Sequence, residues 1–125
     1  MPLSTPISEA TRCGPMSTGT VIIVEDPLVS KLLRTVLQRH GYPVKLASPQ
    51  EAAWLLADSG ANIGALLTNT PGMFLEFSQR VPLLYLTSSP DVLFEAAFHS
   101  CRVVRKPFAP EELILALHEL IAIVP

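Results

Sequence analysis

An unbroken run of four β-branched residues, Val21 to Val24, lies near the start of the chain and is followed by two acids, Glu25 and Asp26. Because apolar and polar residues do not alternate in this run, it predicts a strand buried on both faces, as in the centre of a parallel sheet. Asp26 followed by Pro27 then predicts a helix cap and a first-turn proline. We expect this first helix to run to about His40.

The alternation of an apolar strand with a helix repeats along the chain. Short apolar segments predict further strands over residues 44–46, 63–68, 83–86 and 103–104, and helix signals fall between them over residues 49–58, 91–99 and 110–123. Strands that alternate with helices predict an α/β protein whose parallel sheet carries helices on both faces. The ligand crevice of such a doubly wound sheet lies at the carboxyl ends of its strands.

Two of the helix starts carry clear capping signals. Ser48 and Pro49, with Glu51 three residues after the serine, predict a capping box and a first-turn proline. Ser89 and Pro90 repeat the cap and first-turn proline, so we expect Ser89 to cap the helix predicted over residues 91–99.

The third helix is the exception in this pattern. Only about ten residues lie between Pro71 and Pro82 for a loop, a helix and a return loop, which barely meets the minimum for a parallel crossover. We therefore expect this helix to be short or broken.

Length and charge limit the classes of function. The chain has 125 residues, of which 49% are hydrophobic, and a formal net charge of −2. This length can bury the core of one domain without disulfides or a structural metal. The near balance of charges provides no electrostatic footprint for nucleic acid or an anionic membrane surface. We therefore expect neither direct nucleic-acid binding nor membrane binding.

The first eighteen residues differ from the rest of the chain. Residues 1–18 are rich in proline, serine and threonine and lack the apolar stretch of a secretory signal. They predict a disordered leader, followed by a domain over residues 19–125. No run approaches the roughly 18 apolar residues of a spanning helix, and Cys13 and Cys101 are expected to be free thiols. These features predict a soluble, cytoplasmic protein.

Polar residues follow the predicted strands at the crevice. They are Glu25 and Asp26, Thr68 and Asn69, Thr87 and Ser88, and Lys106. Because the carboxyl ends of parallel strands meet at one edge of a sheet, we expect these side chains to lie close together. Paired acids, a hydroxyl and a lysine around one crevice indicate oxyanion or divalent-metal chemistry.

Four segments carry these residues in a characteristic order. They are TVIIVED at 20–26, LLTN at 66–69, LLYLTS at 83–88 and RKPF at 105–108. In this order, and over about residues 20–122, the chain resembles the response regulator receiver family of bacterial two-component signalling. The resemblance implies a flavodoxin-like (βα)5 receiver fold, which is a five-stranded parallel doubly wound sheet, here with a shortened third helix. It implies a signalling module and not an enzyme.

The resemblance also implies a role for each residue at the strand ends. Glu25 and Asp26 match the acidic pair that holds magnesium, the one cofactor that the resemblance implies. Asn69 stands at the position of the phosphate-accepting aspartate. Thr87 and Lys106 match the hydroxyl and the amine that sense the phosphate, and the bond between Lys106 and the proline after it matches one that is usually cis.

The chain departs from the family pattern where the phosphate would be accepted. The carboxamide of Asn69 is a poor nucleophile and carries no charge that could bind a metal. The loops that follow Asp26 and Asn69 are both shorter than in the family, and Val103 occupies the position of an aromatic switch residue. These departures predict a degenerate phosphoacceptor site.

Three functional hypotheses compete. The leading one is a stand-alone pseudo-receiver that acts through protein contacts without aspartate phosphorylation. The alternative is a phosphorelay receiver that still binds magnesium and a phosphoryl group. A third, a flavodoxin-like domain that binds a small phosphate compound, lacks a glycine-rich phosphate loop. The expected partners are a histidine kinase, another receiver or a second copy of the chain as a homodimer.

An excess of apolar residues late in the chain predicts an interaction face. The last helix carries more apolar positions than one core-facing stripe requires. By the resemblance, the face comprises Leu93, Phe94, Phe98, Val103 and Ile114. The competing interpretation is that these residues pack among themselves or against the leader.

The site residues also have ordinary structural interpretations. Asp26 would cap the first helix, and Asn69 would hydrogen-bond across its loop. Lys106 would form a structural ion pair with Glu25 or Asp26. None of these roles needs a metal or a phosphate.

Overall fold

The computed structural model describes residues 19–58 and 62–123, so the predicted leader and Cys13 lie outside the described residues. The strands are β1 (Thr20–Val24), β2 (Val44–Leu46), β3 (Ile63–Thr68), β4 (Leu83–Thr87) and β5 (Cys101–Arg105). The helices are α1 (Pro27–Arg39), α2 (Pro49–Ala57), α3 (Val92–Ala97) and α4 (Pro110–Ile123), and a 3₁₀ segment (Pro71–Phe77) follows β3. Among these described residues, no helix combines the length and the hydropathy needed to cross a membrane.

The strands form one parallel sheet in the order β2-β1-β3-β4-β5. Val21 of β1 pairs with Val44 of β2, and Leu66 of β3 pairs with Leu83 of β4. The chain steps from β1 to β2 on one side and then crosses to β3 on the other, so the crevice of this sheet lies above the ends of β1 and β3. The five-stranded, parallel, doubly wound sheet of the flavodoxin-like fold is confirmed.

Successive residues of β1 point into two separate cores, because side chains of a strand alternate between its faces. On one face, α1 and α4 bury Leu33, Leu37, Leu113 and Leu117 against the sheet. These helices have 13 and 14 residues, and we call this side the long-helix face. On the other, α2, the 3₁₀ segment and α3, with 9, 7 and 6 residues, form the short-element face. Its core includes Ala52, Leu56, Phe74, Phe77 and Phe98.

The first two helices begin as their capping signals predict. The Oδ1 of Asp26 accepts a hydrogen bond of 2.8 Å from the N–H of Leu28. At the start of α2, the N–H of Glu51 donates to Ser48 Oγ, and the N–H of Ser48 donates to Glu51 Oε1, both at 3.1 Å. Each cap satisfies backbone N–H groups that the first helical turn leaves without an internal partner.

The connection between β3 and β4 contains a broken helix, as the short stretch of chain between Pro71 and Pro82 predicts. A 3₁₀ segment over Pro71–Phe77 replaces a regular α-helix, and Phe74 interrupts it with a non-helical backbone (φ −126°, ψ 19°). Runs of 3₁₀ geometry longer than three or four residues are uncommon because their hydrogen bonds are poor. The side chain of Phe74 is nevertheless buried, so the break is filled by packing.

The helix before β5 corrects the prediction of a helix over residues 91–99 capped by Ser89. α3 is shorter, and its cap is Asp91, whose Oδ1 accepts a 2.9 Å hydrogen bond from the N–H of Leu93. Ser89 lies in the turn after β4, where its N–H donates to Thr87 Oγ1 at 3.1 Å. At the other end, Phe98 has an extended backbone (φ −86°, ψ 135°) that ends the helix.

The fifth strand is longer than the two valines from which it was predicted. It covers Cys101–Arg105, and its register runs from Leu83 opposite Cys101 to Thr87 opposite Arg105. Polar residues can extend a strand where a neighbouring strand offers hydrogen bonds, and the apolar run alone does not reveal that extension.

Candidate functional site

The carboxyl ends of β1, β3, β4 and β5 bring the predicted site residues to one edge of the sheet. Glu25 follows β1, Asn69 follows β3, Thr87 ends β4 and Lys106 follows β5. The N–H of Lys106 donates a 3.0 Å hydrogen bond to the carbonyl oxygen of Thr87, which fixes these two residues side by side. The order of the motifs therefore assembles one crevice, as the sequence predicts.

A buried ion pair forms the centre of this crevice. Lys106 Nζ lies 3.1 Å from Glu25 Oε2, and the side chain of Glu25 is only 1% exposed against 31% for Lys106. The ion pair predicted for Lys106 is confirmed, with Glu25 as the acid. The contact is electrostatic, because Oε2 accepts no hydrogen bond from any described residue. The other oxygen, Oε1, accepts from the N–H of Asp26 at 3.2 Å.

The second acid performs a different task. Asp26 is exposed, and its Oδ1 caps α1 through the N–H of Leu28. A carboxylate at a helix N-terminus also interacts favourably with the positive end of the helix dipole. The capping role predicted for Asp26 is confirmed. The direct junction of Asp26 and Pro27 explains why this carboxylate is directed to the helix start.

The loop after β3 is held by Thr68, for which the sequence did not predict this role. Asn69 is exposed, and its side chain makes no hydrogen bond within the described part of the chain, which corrects the hydrogen bond expected across the loop. Instead, buried Thr68 Oγ1 accepts from the N–H of Thr70 at 3.0 Å and lies 3.2 Å from Thr70 Oγ1. A threonine hydroxyl commonly hydrogen-bonds the backbone of the residue two positions later. The sequence therefore contained one indication of this bond, namely the spacing of Thr68 and Thr70.

The hydroxyl at the end of β4 is also engaged locally. Thr87 is half-buried, and its Oγ1 accepts the N–H of Ser89 at 3.1 Å. The peptide bond between Lys106 and Pro107 is cis, as the sequence resemblance implies. The chain therefore keeps the backbone arrangement at the ends of β4 and β5 that places a hydroxyl and an ammonium at the crevice.

The residues expected to hold magnesium do not fit that ion in this arrangement. A magnesium site needs near-octahedral oxygen ligands with substantial negative charge. Glu25 faces the Lys106 ammonium, Asp26 uses one oxygen as a helix cap, and Asn69 contributes no charge. Across residues 19–58 and 62–123, no group of three His, Cys, Asp or Glu side chains could hold a metal ion.

The five residues predicted for the interaction face differ in exposure. Leu93 is 73% exposed, whereas Phe94, Val103 and Ile114 are half-buried. Phe98 is only 4% exposed and packs in the core of the short-element face, so its assignment to a surface is wrong in this structure. The reason is that α3 ends before Phe98, whose extended backbone turns the ring inward.

Two exposed apolar side chains near this face were not predicted. Val92 begins α3 at 71% exposure, and Leu115 lies on α4 at 58% exposure. Leu115 belongs to the apolar excess of the last helix, whereas Val92 directly follows Asp91, the helix cap that the sequence pattern had assigned to Ser89.

Cys101 is a free thiol, as predicted. Burial raises its pKa, the negative charge of Glu95 raises it further and Arg102 lowers it in part, which together place the pKa at about 11. The thiol is therefore protonated at neutral pH, and thiolate chemistry is disfavoured at this position.

Comparisons with known proteins identify the fold. No family model matches the sequence, and no curated protein matches it. A solved structure assigned as a response regulator of Chloroflexus aurantiacus is 27% identical, with a TM-score of 0.64, and the match covers 83% of this chain and 98% of that one. The chemotaxis response regulator CheY4 of Vibrio cholerae is 18% identical, with a TM-score of 0.67 over 82% of this chain and 98% of that one.

A third solved structure has a described metal. It is the receiver domain of a sensor histidine kinase from Pseudomonas aeruginosa, crystallised with magnesium in its active-site cleft. It is 21% identical to this chain, with a TM-score of 0.67, and the match covers 83% of this chain and 98% of that one. At this identity the likeness concerns the fold.

Proposed function

We propose that this chain, which has the fold of response regulator receiver domains, is a pseudo-receiver that signals through protein contacts and accepts no phosphoryl group. The observation that carries the proposal is Asn69 at the end of β3, beside an acid that is already paired with Lys106. Acyl phosphate chemistry needs a carboxylate nucleophile, which the amide of Asn69 does not supply, and acidic metal ligands, of which Glu25 is here paired with the lysine.

The chemistry of the carboxamide supports this role. A carboxylate oxygen can attack phosphorus and hold the phosphoryl group as an acyl phosphate, whereas an amide oxygen is a poor nucleophile. Magnesium would normally neutralise charge on the phosphoryl oxygens. Glu25 is held by the Lys106 ammonium at 3.1 Å, and Asp26 caps α1. The same residues therefore stabilise the fold in place of binding a metal.

The partners we propose are proteins, namely a histidine kinase, another receiver or a second copy of this chain, in a cytoplasmic two-component pathway and without enzymatic activity. Exposed apolar side chains on α3 and α4, such as Leu93 and Leu115, support a contact role. Leu93 is also next to Val92, which is 71% exposed, and contiguous exposed apolar side chains are typical of protein interaction sites.

The test is to incubate the purified protein with acetyl phosphate and magnesium and to measure its intact mass. Asn69→Asp is the matched variant, because it restores the carboxylate without changing side-chain size. We expect no acid-labile phosphoryl adduct on the natural chain. An adduct only on Asn69→Asp would show that the change of one residue abolished phosphoryl acceptance. An adduct on neither protein would show that the shortened loops contribute to its loss.

A phosphorelay receiver that still binds magnesium and a phosphoryl group is the second candidate. The observation in its favour is that Thr87 and Lys106 remain side by side at the strand ends, joined through the 3.0 Å backbone hydrogen bond. The same mass measurement separates the two candidates, because an acid-labile adduct on the natural chain would reject the pseudo-receiver and support the phosphorelay.

A further inference from the structure

The outer face of α1 is both apolar and basic. Leu28 and Leu32 lie one helical turn apart and are 79% and 57% exposed. Lys31 and Arg39 are exposed beside them, while the buried side of the same helix packs on β1 and β2. We call Leu28, Lys31, Leu32 and Arg39 the α1 face. Contiguous exposed apolar side chains are typical of protein interaction sites.

The charges of the chain are distributed unevenly around this helix. Residues 27–50, which include α1, β2 and the start of α2, contain four basic residues and no acidic one. The basic residues are Lys31, Arg34, Arg39 and Lys45, and all four are exposed. Because the whole chain has nine basic and eleven acidic residues, the remainder has five basic and eleven acidic ones. The α1 face therefore lies in a positively charged part of a chain that is otherwise acidic.

A groove at the other edge of the sheet has the complementary character. It is a cavity of about 490 Å³ between α3 and α4, beside β5. Three acids, Glu95, Glu112 and Glu119, line it together with one basic residue, Arg105. Leu115, which is 58% exposed, gives it an apolar wall. We call this cavity the acidic groove, and it is open because α3 has only six residues.

We propose that copies of this chain assemble head to tail, with the α1 face of one copy docked in the acidic groove of the next. The inference rests on the proposed function, in which the chain acts through protein contacts, and it names the partner and both surfaces. Helices commonly occupy grooves through anchors at i and i+4, which is the spacing of Leu28 and Leu32. In this contact the two leucines meet Leu115, and Lys31 meets the acids of the groove.

The two surfaces can be used by one copy at the same time. α1 packs on β2, one edge strand of the sheet, and the acidic groove lies beside β5, the other edge strand. A contact between two different surfaces is heterologous, and it produces rings or open chains of copies. The assembly is therefore expected to grow beyond two copies.

The distribution of charge disfavours a two-fold contact through either surface. A two-fold contact places one patch against the same patch of the second copy. Through the α1 face, such a contact would bring Lys31 and Arg39 together with the same residues of the second copy. Through the acidic groove, it would do the same with Glu95 and Glu119. Like charges placed together cost free energy, whereas the head-to-tail contact joins opposite charges.

The strength of the contact is limited by basic residues near the groove. Arg102 lies 3.8 Å from Glu119, and Arg105 lines the groove itself. These two arginines offset two of the three acids, so apolar contact must contribute together with charge. We therefore expect an association that is visible between micromolar and millimolar concentrations of the chain.

Sedimentation over this concentration range, with reductant present, tests the proposal. The variants are Leu32→Glu on α1 and Leu115→Arg in the groove, which replace side chains of nearly equal exposure by good helix formers. We expect the average mass of the natural chain to rise with concentration, and each variant to weaken the association at least about tenfold. The control is Trp54→Glu on α2, where an apolar side chain that is 70% exposed lies outside both surfaces. It should leave the association unchanged.

Mixing the two variants tests the direction of the contact. Each retains one intact surface, because the Leu115→Arg chain keeps its α1 face and the Leu32→Glu chain keeps its groove. An equimolar mixture should therefore form a one-to-one dimer that does not grow further, whereas either variant alone stays monomeric. A two-fold contact predicts instead that one variant dimerises by itself, which would overturn the proposal.

Salt tests the role of charge without any substitution. Raising the ionic strength from about 0.01 M to 0.15 M shortens the Debye length from about 30 Å to about 8 Å. The association of the natural chain should weaken over this range, and thermal melts establish that each variant is folded. A natural chain that stays monomeric throughout, a mixture without a dimer, or equal weakening by Trp54→Glu would overturn the proposal and leave the pseudo-receiver role intact. Phosphorylation of the natural chain would reject that role and leave the assembly untouched.

Discussion

The two faces of the sheet are covered in different ways. On the long-helix face, α1 and α4 bury a stripe of leucines at helical spacing, including Leu33, Leu37 and Leu117. On the short-element face, aromatic rings such as Phe74 and Phe77 cover the sheet. An aromatic side chain buries about 150–250 Å², so a few rings can cover a surface for which the backbone supplies only short helices. A broken connection is thus compatible with a closed core.

The same division runs through the functional site. Glu25 and Lys106 precede α1 and α4, the helices of the long-helix face, and they form the buried ion pair. Asn69 and Thr87 precede the 3₁₀ segment and α3, the shortest elements of the other face. The half of the site with the buried ion pair therefore precedes the long helices, and the half with Asn69, which the sequence resemblance places at the phosphate-accepting position, precedes the reduced elements.

Among the variants that test this contrast between the two faces, Phe74→Ala is expected to lower the free energy of unfolding the most. Phe74 is 1% exposed at the break in the 3₁₀ segment. Removing a buried phenyl ring typically costs about 3–5 kcal/mol of unfolding free energy. We expect a loss in this range, measured by urea denaturation, because the ring holds a segment with few regular backbone hydrogen bonds.

The matched control for that loss is Leu75→Ala in the same segment. Leu75 is 43% exposed, so its removal should change the unfolding free energy by about 1 kcal/mol or less. Equal losses for the two variants would mean that aromatic packing does not hold the short-element face, and the contrast between the faces would fail.

A smaller loss is expected from Lys106→Met, which tests the half of the site that supports the fold. The substitution leaves the carboxylate of Glu25 buried without its ammonium. Breaking a buried pair costs about 3–5 kcal/mol, but Lys106 is 31% exposed and solvent screens the charge, so we expect about 1–3 kcal/mol. Urea denaturation at neutral pH measures it.

Two further variants distinguish the contribution of the ion pair to stability from the effect of removing a lysine side chain. Lys45→Met removes an exposed lysine of β2 and should change stability by about 0.5 kcal/mol or less. Adding Glu25→Gln to Lys106→Met should recover most of the loss, since no unpaired charge then remains buried. If the double variant is less stable than Lys106→Met alone, the carboxylate is stabilised by something other than the ammonium.

Much of the fold and part of the site could be predicted from local patterns. Continuous apolar runs marked the buried strands, and the caps at Asp26 and Ser48 depend on residues within three positions of one another. The ion pair of Glu25 and Lys106 followed from strand order, because parallel strands end at one edge.

What the sequence did not reveal depends on tertiary contacts. The cap of α3 was assigned to Ser89 because Ser89 and Asp91 both have capping side chains, and the hydrogen bond from the N–H of Ser89 to Thr87 Oγ1 places the serine in the turn instead. The burial of Phe98 followed from that shorter helix.

The smallest effect is expected at the edge of the short-element face. It is a change in the rate at which the Cys101 thiol is alkylated. The pKa of Cys101 is raised to about 11 by burial first and by Glu95 second. A two-unit rise cuts the thiolate fraction about a hundredfold, and the greater nucleophilicity of the more basic thiolate leaves a net slowing of about tenfold. In a Cys13→Ser background, iodoacetamide at pH 8 should thus react with Cys101 about tenfold more slowly than with a free cysteine.

Glu95→Gln should recover only part of the lost alkylation rate, because burial is the larger cause of the raised pKa. Full recovery would show that charge and not burial protects the thiol, and that the short α3 leaves this edge open to solvent.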